Sequence, residues 1–174
     1  MSSLCMTPTV INAYAKDDLI AIFTANSVSL EPMRPMIKEE CGIDPNDKRF
    51  VIVGCQDVPI FGKAVAEGLK VDWEKVIPHM VKLAKDTVKA NPNLRAFIFE
   101  CTELPPYSDS VRKATGLPVF DSITTCNAFI AAMQDNPRFG ANDWQQEWDG
   151  EQESYTIGQY LSAEDKALLQ SSAA

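Results

Sequence analysis

The sequence predicts an α/β protein with an open, mostly parallel sheet flanked by helices. Four short runs are continuously rich in Val, Ile and Phe, as expected for strands that helices cover on both faces. The longer segments between them place apolar residues three and four positions apart, which is typical of helices. The resulting order β-α-β-α-α-β-α-β-α indicates parallel strands joined by right-handed crossovers.

The predicted elements follow one another closely along the chain. Strands are predicted at residues 19–24, 50–54, 96–100 and 118–121, and helices at 28–40, 57–69, 73–88, 105–115 and 121–134. Asp72 is expected to cap the third of these helices, and Pro78 predicts that this helix is kinked or starts late. A final helix is predicted after Ser162, with Asp165 completing a capping box.

Composition and charge exclude several classes of partner. The 174 residues are enough for a working core, and 16 Lys+Arg against 24 Asp+Glu give a net charge of −8. Because nucleic-acid affinity depends on clustered cations, we expect no nucleic-acid partner. No apolar run reaches the ~18 residues that cross a bilayer, and the first residues do not resemble a signal peptide, so we expect a soluble, intracellular protein without a membrane partner.

The five cysteines direct attention to thiol chemistry. Their number is odd, and they form neither a C-x-x-C pair nor a zinc-binding spacing, which favours reduced thiols over disulfides or a metal site. The single histidine, His79, makes a His-based triad improbable, and we expect it to be structural and partly exposed. We therefore predict no metal site.

Cys101 is the strongest candidate among these thiols. Ligands of open parallel sheets bind beyond the carboxyl ends of the strands, and Cys101 follows the third predicted strand directly. The helix expected after Pro105 would lower the pKa of this thiol, and its N-terminus together with the Thr102 hydroxyl could bind a carboxylate. Such a unit suits removal of a proton α to a carboxylate. The alternative is a small buried cysteine that ends a core strand.

The other cysteines are better explained by packing. Cys55 occupies the equivalent place after the second strand, where Gln56 and Asp57 disfavour a thiolate, although they could bind a polar substrate group. Cys126 lies one turn into a helix and is expected in the core. Cys41 ends a predicted helix, a position that also disfavours a thiolate.

Several motifs resemble a known family. The run ECTELPPY at residues 100–107, followed by TGLPVFD at 115–121, resembles the C-terminal half of the aspartate/glutamate racemase superfamily. The turn TANS at 24–27 and the initial MSSL also match, so that the resemblance covers about residues 1–132. Within the superfamily the chain is most similar to the algal Alma-type dimethylsulfoniopropionate (DMSP) lyases, whose tail the segment NDWQQEWDG at 142–150 resembles.

The resemblance implies a fold and a set of site residues. In this superfamily two similar α/β halves each donate a cysteine to a cleft between them. By resemblance Cys101 is the catalytic cysteine of the C-terminal half, Thr102 binds the substrate carboxylate, and Asn26 and Ser27 are further contacts. The other family cysteine falls before residue 1, so a C-terminal fragment with little activity alone is expected. Residues 1–135 would form the racemase-like region and residues 136–174 an irregular extension.

The resemblance also implies a reaction. A thiolate would remove the proton α to the carboxylate of DMSP, and dimethyl sulfide would leave to give acrylate, without metal or organic cofactor. Tyr107 and Trp144 are candidate aromatic contacts for the sulfonium. Full-length protein is expected to form a homo-oligomer. The alternatives are a cofactor-independent racemase or isomerase acting on aspartate, glutamate, hydantoin or maleate, and a non-catalytic subunit that kept the fold.

Overall fold

Four parallel strands form the sheet, in a computed structural model that describes residues 2–133 and 161–171. The sheet has the order β2-β1-β3-β4, and each neighbouring pair is parallel. This arrangement confirms the predicted fold class and places every strand where the apolar runs predicted it. The strands are β1 (Leu19–Thr24), β2 (Phe50–Gly54), β3 (Leu94–Phe99) and β4 (Val119–Phe120).

Eight α-helices lie within the described residues. Short 3-10 turns at Ser3–Met6, Glu31–Met33 and Pro105–Tyr107 accompany them. The helix predicted over 28–40 is divided, because Pro32 and Pro35 each begin a new helical segment. The helices are α1 (Thr7–Asn12), α2 (Ser27–Leu30), α3 (Arg34–Cys41), α4 (Phe61–Ala66), α5 (Trp73–Ala90), α6 (Ser108–Thr115), α7 (Ser122–Ala132) and α8 (Ala163–Ser171).

Helix α5 corrects two details of the sequence analysis. It begins at Trp73 and continues through Pro78, so the later start is wrong. Asp72 precedes the helix but makes no capping hydrogen bond, and its carboxylate instead pairs with the Lys75 ammonium at 2.7 Å. The apolar stripe is confirmed, since Val76, Met80 and Ala84 are fully buried.

Each face of the sheet carries its own hydrophobic cluster. Alternate residues of a strand point to opposite faces, so Phe23, Phe97 and Phe99 lie in the cluster with α4, α5 and α6. Ile22 and Ile98 lie in the second cluster with Leu4, Val10 and Ile37. The same alternation continues beyond β3, where Cys101 packs against the first cluster and Glu100 follows the parity of Ile98.

The chain divides into two compact units, Met1–Phe129 and Ile130–Ala174. The first contains the whole sheet. In the second, the Asp165 N–H donates to Ser162 Oγ at 3.1 Å, which confirms the predicted cap of α8. Residues 136–160 of the expected extension, Trp144 among them, lie outside the described residues, whereas residues 163–171 of it form α8. In the described part of the chain no helix has the length and apolar character needed to span a membrane.

Candidate active site

The carboxyl ends of all four strands meet at one edge of the sheet, because the strands are parallel. Ligand sites in such sheets form at this edge. The segments that leave the strands here include Thr24–Ser27 after β1, Cys55 and Gln56 after β2, and Glu100 and Cys101 after β3.

Two backbone N–H groups surround the Cys101 thiol. The side chain is half-buried, and the Glu103 N–H donates to Sγ at 3.4 Å. The Ala25 N–H, from the turn after β1, is a second donor to the same sulfur. A turn closed by the Leu104 N–H and the Cys101 carbonyl at 3.0 Å directs the Glu103 N–H back toward the thiol. Both donors favour the thiolate over the neutral thiol.

The expected lowering of the pKa of Cys101 is wrong for this structure. Burial is the largest effect, and it raises the pKa of this thiol above its ordinary value. The Glu103 N–H lowers the pKa by a smaller amount, and the charges of Glu100 and Glu103 raise it further. The helix dipole does not compensate, because α6 begins only at Ser108 and the dipole acts within about one turn of a helix end. The resting thiol is therefore neutral near pH 7.

The burial of Cys55 confirms the prediction that this residue packs in the core. It has no exposed surface, and its sulfur lies 3.9 Å from the Met80 sulfur. Burial, with a smaller contribution from Cys101, raises the pKa of Cys55 to about 12. Of the two thiols at this edge, Cys101 is the one that a substrate can reach.

An open cleft of about 700 Å³ lies at the same edge of the sheet, and Cys101 is not among the residues that line it. We call it the edge cleft. Cys101 follows the lining residue Glu100 in the chain, and its sulfur accepts from the backbone of the lining residue Ala25. The edge cleft is lined by the polar residues Thr24, Asn26, Ser29, Gln56, Lys63 and Glu100 and by Ala25, Leu30, Met33, Gly62, Val65 and Ala66.

Gln56 bridges the turns after β1 and β2. Its Oε1 accepts from the Ser27 N–H at 3.2 Å, and its Nε2 lies 3.4 Å from Ser27 Oγ. Two glycines make room for it: a Cβ at Gly54 would lie 2.0 Å from Gln56 Oε1, and a Cβ at Gly62 would lie 1.8 Å from the Gln56 carbonyl oxygen. From the sequence, Gln56 was expected only as a polar contact beside Cys55, and the available signal for its bridging position was the pair of glycines Gly54 and Gly62.

Glu100 was missed as a site residue. Its carboxylate Oε2 accepts from Thr24 Oγ1 at 2.9 Å, and Thr24 is only 3% exposed. The bond joins residues 76 positions apart. The signal in the sequence was a charged residue directly after the apolar run at residues 96–99.

The predicted substrate contacts lie at different places on this edge. Asn26 lines the edge cleft, and its Oδ1 accepts from the Val28 and Ser29 N–H groups at 2.9 and 3.2 Å, which makes it the N-cap of α2. Ser27 is held by Gln56 through the bonds described above. Thr102 is exposed and is not among the residues that line the edge cleft.

Three other predicted residues can be compared with the structure. Cys126 is exposed, so its expected place in the core is wrong: the buried residue of α7 is Thr125, on an adjacent side of the helix. Tyr107 is 1% exposed and its ring packs edge-on against Phe61 at 5.9 Å, which removes it from contact with a ligand. His79 is exposed.

The remaining thiols lie on the other side of the sheet. Cys41 ends α3, where Gly42 adopts the left-handed conformation, and burial together with the neighbouring Cys5 thiol raises the pKa of Cys41.

Within residues 2–133 and 161–171 no group of three His, Cys, Asp or Glu side chains is placed to hold a metal ion.

The fold and the site together define an α/β protein that presents a thiol and a carboxylate at the carboxyl edge of a parallel sheet. The chain is 60% identical to dimethylsulfoniopropionate lyase 7 of Emiliania huxleyi, over 97% of this chain and 50% of that protein. It is 49% identical to the dimethylsulfoniopropionate lyase of Durusdinium sp. clade D, over 97% of this chain and 56% of that protein. The chain thus spans about half the length of the curated relatives that it matches. No family model and no solved structure matches it.

Proposed function

We propose that the protein is a DMSP lyase, which cleaves dimethylsulfoniopropionate to dimethyl sulfide and acrylate. The observation that carries this proposal is the 60% identity to a protein named as such a lyase, extending over 97% of the chain and including the Cys101 segment. The geometry supports it, because the half-buried Cys101 thiol lies beside Ala25 and Glu100, two residues that line a cleft large enough for a small carboxylate.

Cys101 acts as the base in the proposed reaction. Its thiolate takes a proton from C2 of the substrate, and the electron pair of that C–H bond forms the C2–C3 double bond. The C3–S bond breaks, and dimethyl sulfide leaves with its electron pair. The Cys101 thiol then returns its proton to water. Because the pKa of Cys101 is raised in the resting protein, we expect turnover to increase with pH as this thiol ionises.

The carboxylate of the substrate requires donors that become stronger partners as negative charge develops on it. Lys63 supplies an ammonium in the lining of the edge cleft, with its side chain 80% exposed. Thr102, Asn26 and Ser27 remain the contacts proposed from the family resemblance. The racemase-superfamily placement, with a second half that completes the cleft, belongs to the same proposal and rests on the motif at residues 100–107.

A comparison of two reactions tests the proposal. A protein of the relatives' length and the 174-residue chain are each supplied with DMSP, and dimethyl sulfide is measured by gas chromatography while acrylate is measured by NMR. We expect release from the longer protein and little from the 174-residue chain. Racemisation of aspartate or glutamate by the longer protein, without any sulfide release, would contradict the lyase and support the racemase.

A further inference from the structure

We infer that Glu100 binds the cationic end of the substrate and selects a sulfonium zwitterion over carboxylates of the same shape that lack the cationic centre. This inference deepens the proposed function and rests on it. It assigns a specificity-determining role to a residue that lies beside the proposed base, and it does not make Glu100 a catalytic base.

The carboxylate of Glu100 is fixed in place but carries no neutralising partner. Oε2 accepts from the buried Thr24 hydroxyl at 2.9 Å, which anchors the group at the lining of the edge cleft. Among the described residues no lysine or arginine forms an ion pair with Glu100. A carboxylate that lies in a partly enclosed cleft and has no ion-pair partner is a favourable site for a positively charged ligand, because attraction strengthens as water is excluded.

The surroundings of Glu100 suit a cation that cannot donate hydrogen bonds. A sulfonium carries methyl groups and no N–H or O–H, so its recognition depends on charge and apolar contact. Leu30, Met33 and Val65 supply apolar and thioether surface within the same cleft. The opposite end of the substrate is an anion, and the Lys63 ammonium in the same lining lies 4.0 Å from Glu67, a loose pair that a carboxylate can replace.

The position of Glu100 also connects substrate binding to the thiol. Glu100 and Cys101 are consecutive, and the charge of Glu100 is one of the causes that raise the pKa of Cys101. A bound sulfonium offsets this negative charge and so favours the thiolate when the substrate arrives. A carboxylate without a cationic centre provides no such compensation.

Two stable ligands that differ only in charge test the inference. The cationic probe is the zwitterion 3-(trimethylammonio)propionate, and 4,4-dimethylpentanoate is its isostere, in which a neutral carbon replaces the positively charged nitrogen. Dissociation constants for the 174-residue chain are measured by NMR titration. We expect the dissociation constant of the cationic probe to be about tenfold lower than that of the isostere, or lower still. A difference of this size is what one nearby unpaired charge supplies.

Variants then assign the preference to Glu100. In Glu100→Gln the two ligands should bind equally, whereas Glu103→Gln, which removes an exposed carboxylate outside the edge cleft, should keep the preference. Thr24→Val, which releases the carboxylate without removing it, should reduce the preference and provides a second variant if Glu100→Gln does not fold. Retention of the full preference in Glu100→Gln would overturn the inference, and so would a wild-type chain that binds neither ligand or does not distinguish them.

The failure of this inference is distinguishable from failure of the proposed function. Sulfide release from DMSP by the longer protein, together with equal affinities for the two ligands, would leave the lyase standing and remove the role of Glu100. A charge preference that depends on Glu100, with no sulfide release, would retain the cationic subsite and remove the lyase.

Discussion

Cys55 and Cys101 follow two strands that flank β1, yet only one of them is available for chemistry. Each thiol begins a similar turn, closed at 3.0 Å by Val58 N–H on the Cys55 carbonyl and by Leu104 N–H on the Cys101 carbonyl. The difference lies in what packs against each sulfur. Met80 of α5 contacts Cys55, whereas two backbone N–H groups approach the half-buried Cys101. A position directly after a strand is therefore not sufficient to make a thiol available for chemistry. Access from the cleft and nearby N–H donors distinguish Cys101 from Cys55.

The largest expected effect separates the two thiols by activity. Cys101→Ser replaces the proposed base with a hydroxyl, which ionises far less readily than a thiol, and should lower kcat for DMSP by about 10²–10⁴-fold in a protein of the relatives' length. Cys55→Ala removes a sulfur without substrate access and should leave kcat within a few-fold. Headspace measurement of dimethyl sulfide checks both. Equal losses of kcat in the two variants would contradict the claim that only Cys101 of these two thiols takes part in the reaction.

The second prediction concerns the glycines that accommodate Gln56. Gly62→Ala places a Cβ 1.8 Å from a backbone oxygen, so α4 must shift, and we expect a loss of about 1–3 kcal/mol in the free energy of unfolding. In Gly54→Ala the new Cβ contacts the Gln56 side chain, which can rotate away, so the free energy of unfolding should change less than in Gly62→Ala. Because Gln56 lines the edge cleft, its displacement should raise KM. Urea unfolding and KM together check this ordering, and the reverse ordering would contradict it.

The third prediction uses the burial of Cys55. Its pKa of about 12 in the folded chain exceeds its ordinary value of 9.0, so folding favours the protonated thiol. The contribution of Cys55 to the free energy of unfolding is therefore fully present below pH 9. It is lost as the pH rises toward 12, at up to about 1.4 kcal/mol per pH unit. Cys55→Ala should flatten the decline measured by urea unfolding between pH 9 and 10. An unchanged slope would show that Cys55 is not protected in the folded state.

The smallest effect is expected at Ile60, in the turn that leads from Cys55 into α4. Its φ of 70° is in the left-handed region, which is unfavourable for a β-branched residue, and the side chain is 43% exposed. Ile60→Gly should stabilise the fold by about 0.5–1 kcal/mol, since the strain removed exceeds the added entropy of the unfolded chain. Ile60→Ala keeps a Cβ and should gain less. Thermal unfolding of both variants checks the order.

The sequence predicted the sheet because its signal is local: continuous Val, Ile and Phe runs mark strands covered on both faces. It did not predict α1, whose Thr7–Asn12 segment has only two buried residues, Thr7 and Val10. The error at Cys126 has a related cause, because burial on a helix depends on which neighbours cover each side. Local patterns do not contain that information.

The site was predictable only in part for the same reason. Cys101 could be singled out from its place after a strand, but the direction of its pKa depended on where α6 begins. The Thr24–Glu100 bond and the Ser27–Gln56 bridge join segments 76 and 29 residues apart. Such contacts follow from the sheet order β2-β1-β3, which places the three turns side by side.

Alkylation of individual thiols tests the central claim most directly. A protein of the relatives' length is treated with iodoacetamide with and without the unreactive probe 3-(trimethylammonio)propionate, and the modified cysteine in each tryptic peptide is quantified by mass spectrometry. Cys101 should react at a rate that increases with pH, the probe should protect it, and Cys55 should stay unmodified in the folded protein. Protection of a different thiol with no effect at Cys101 would contradict the account.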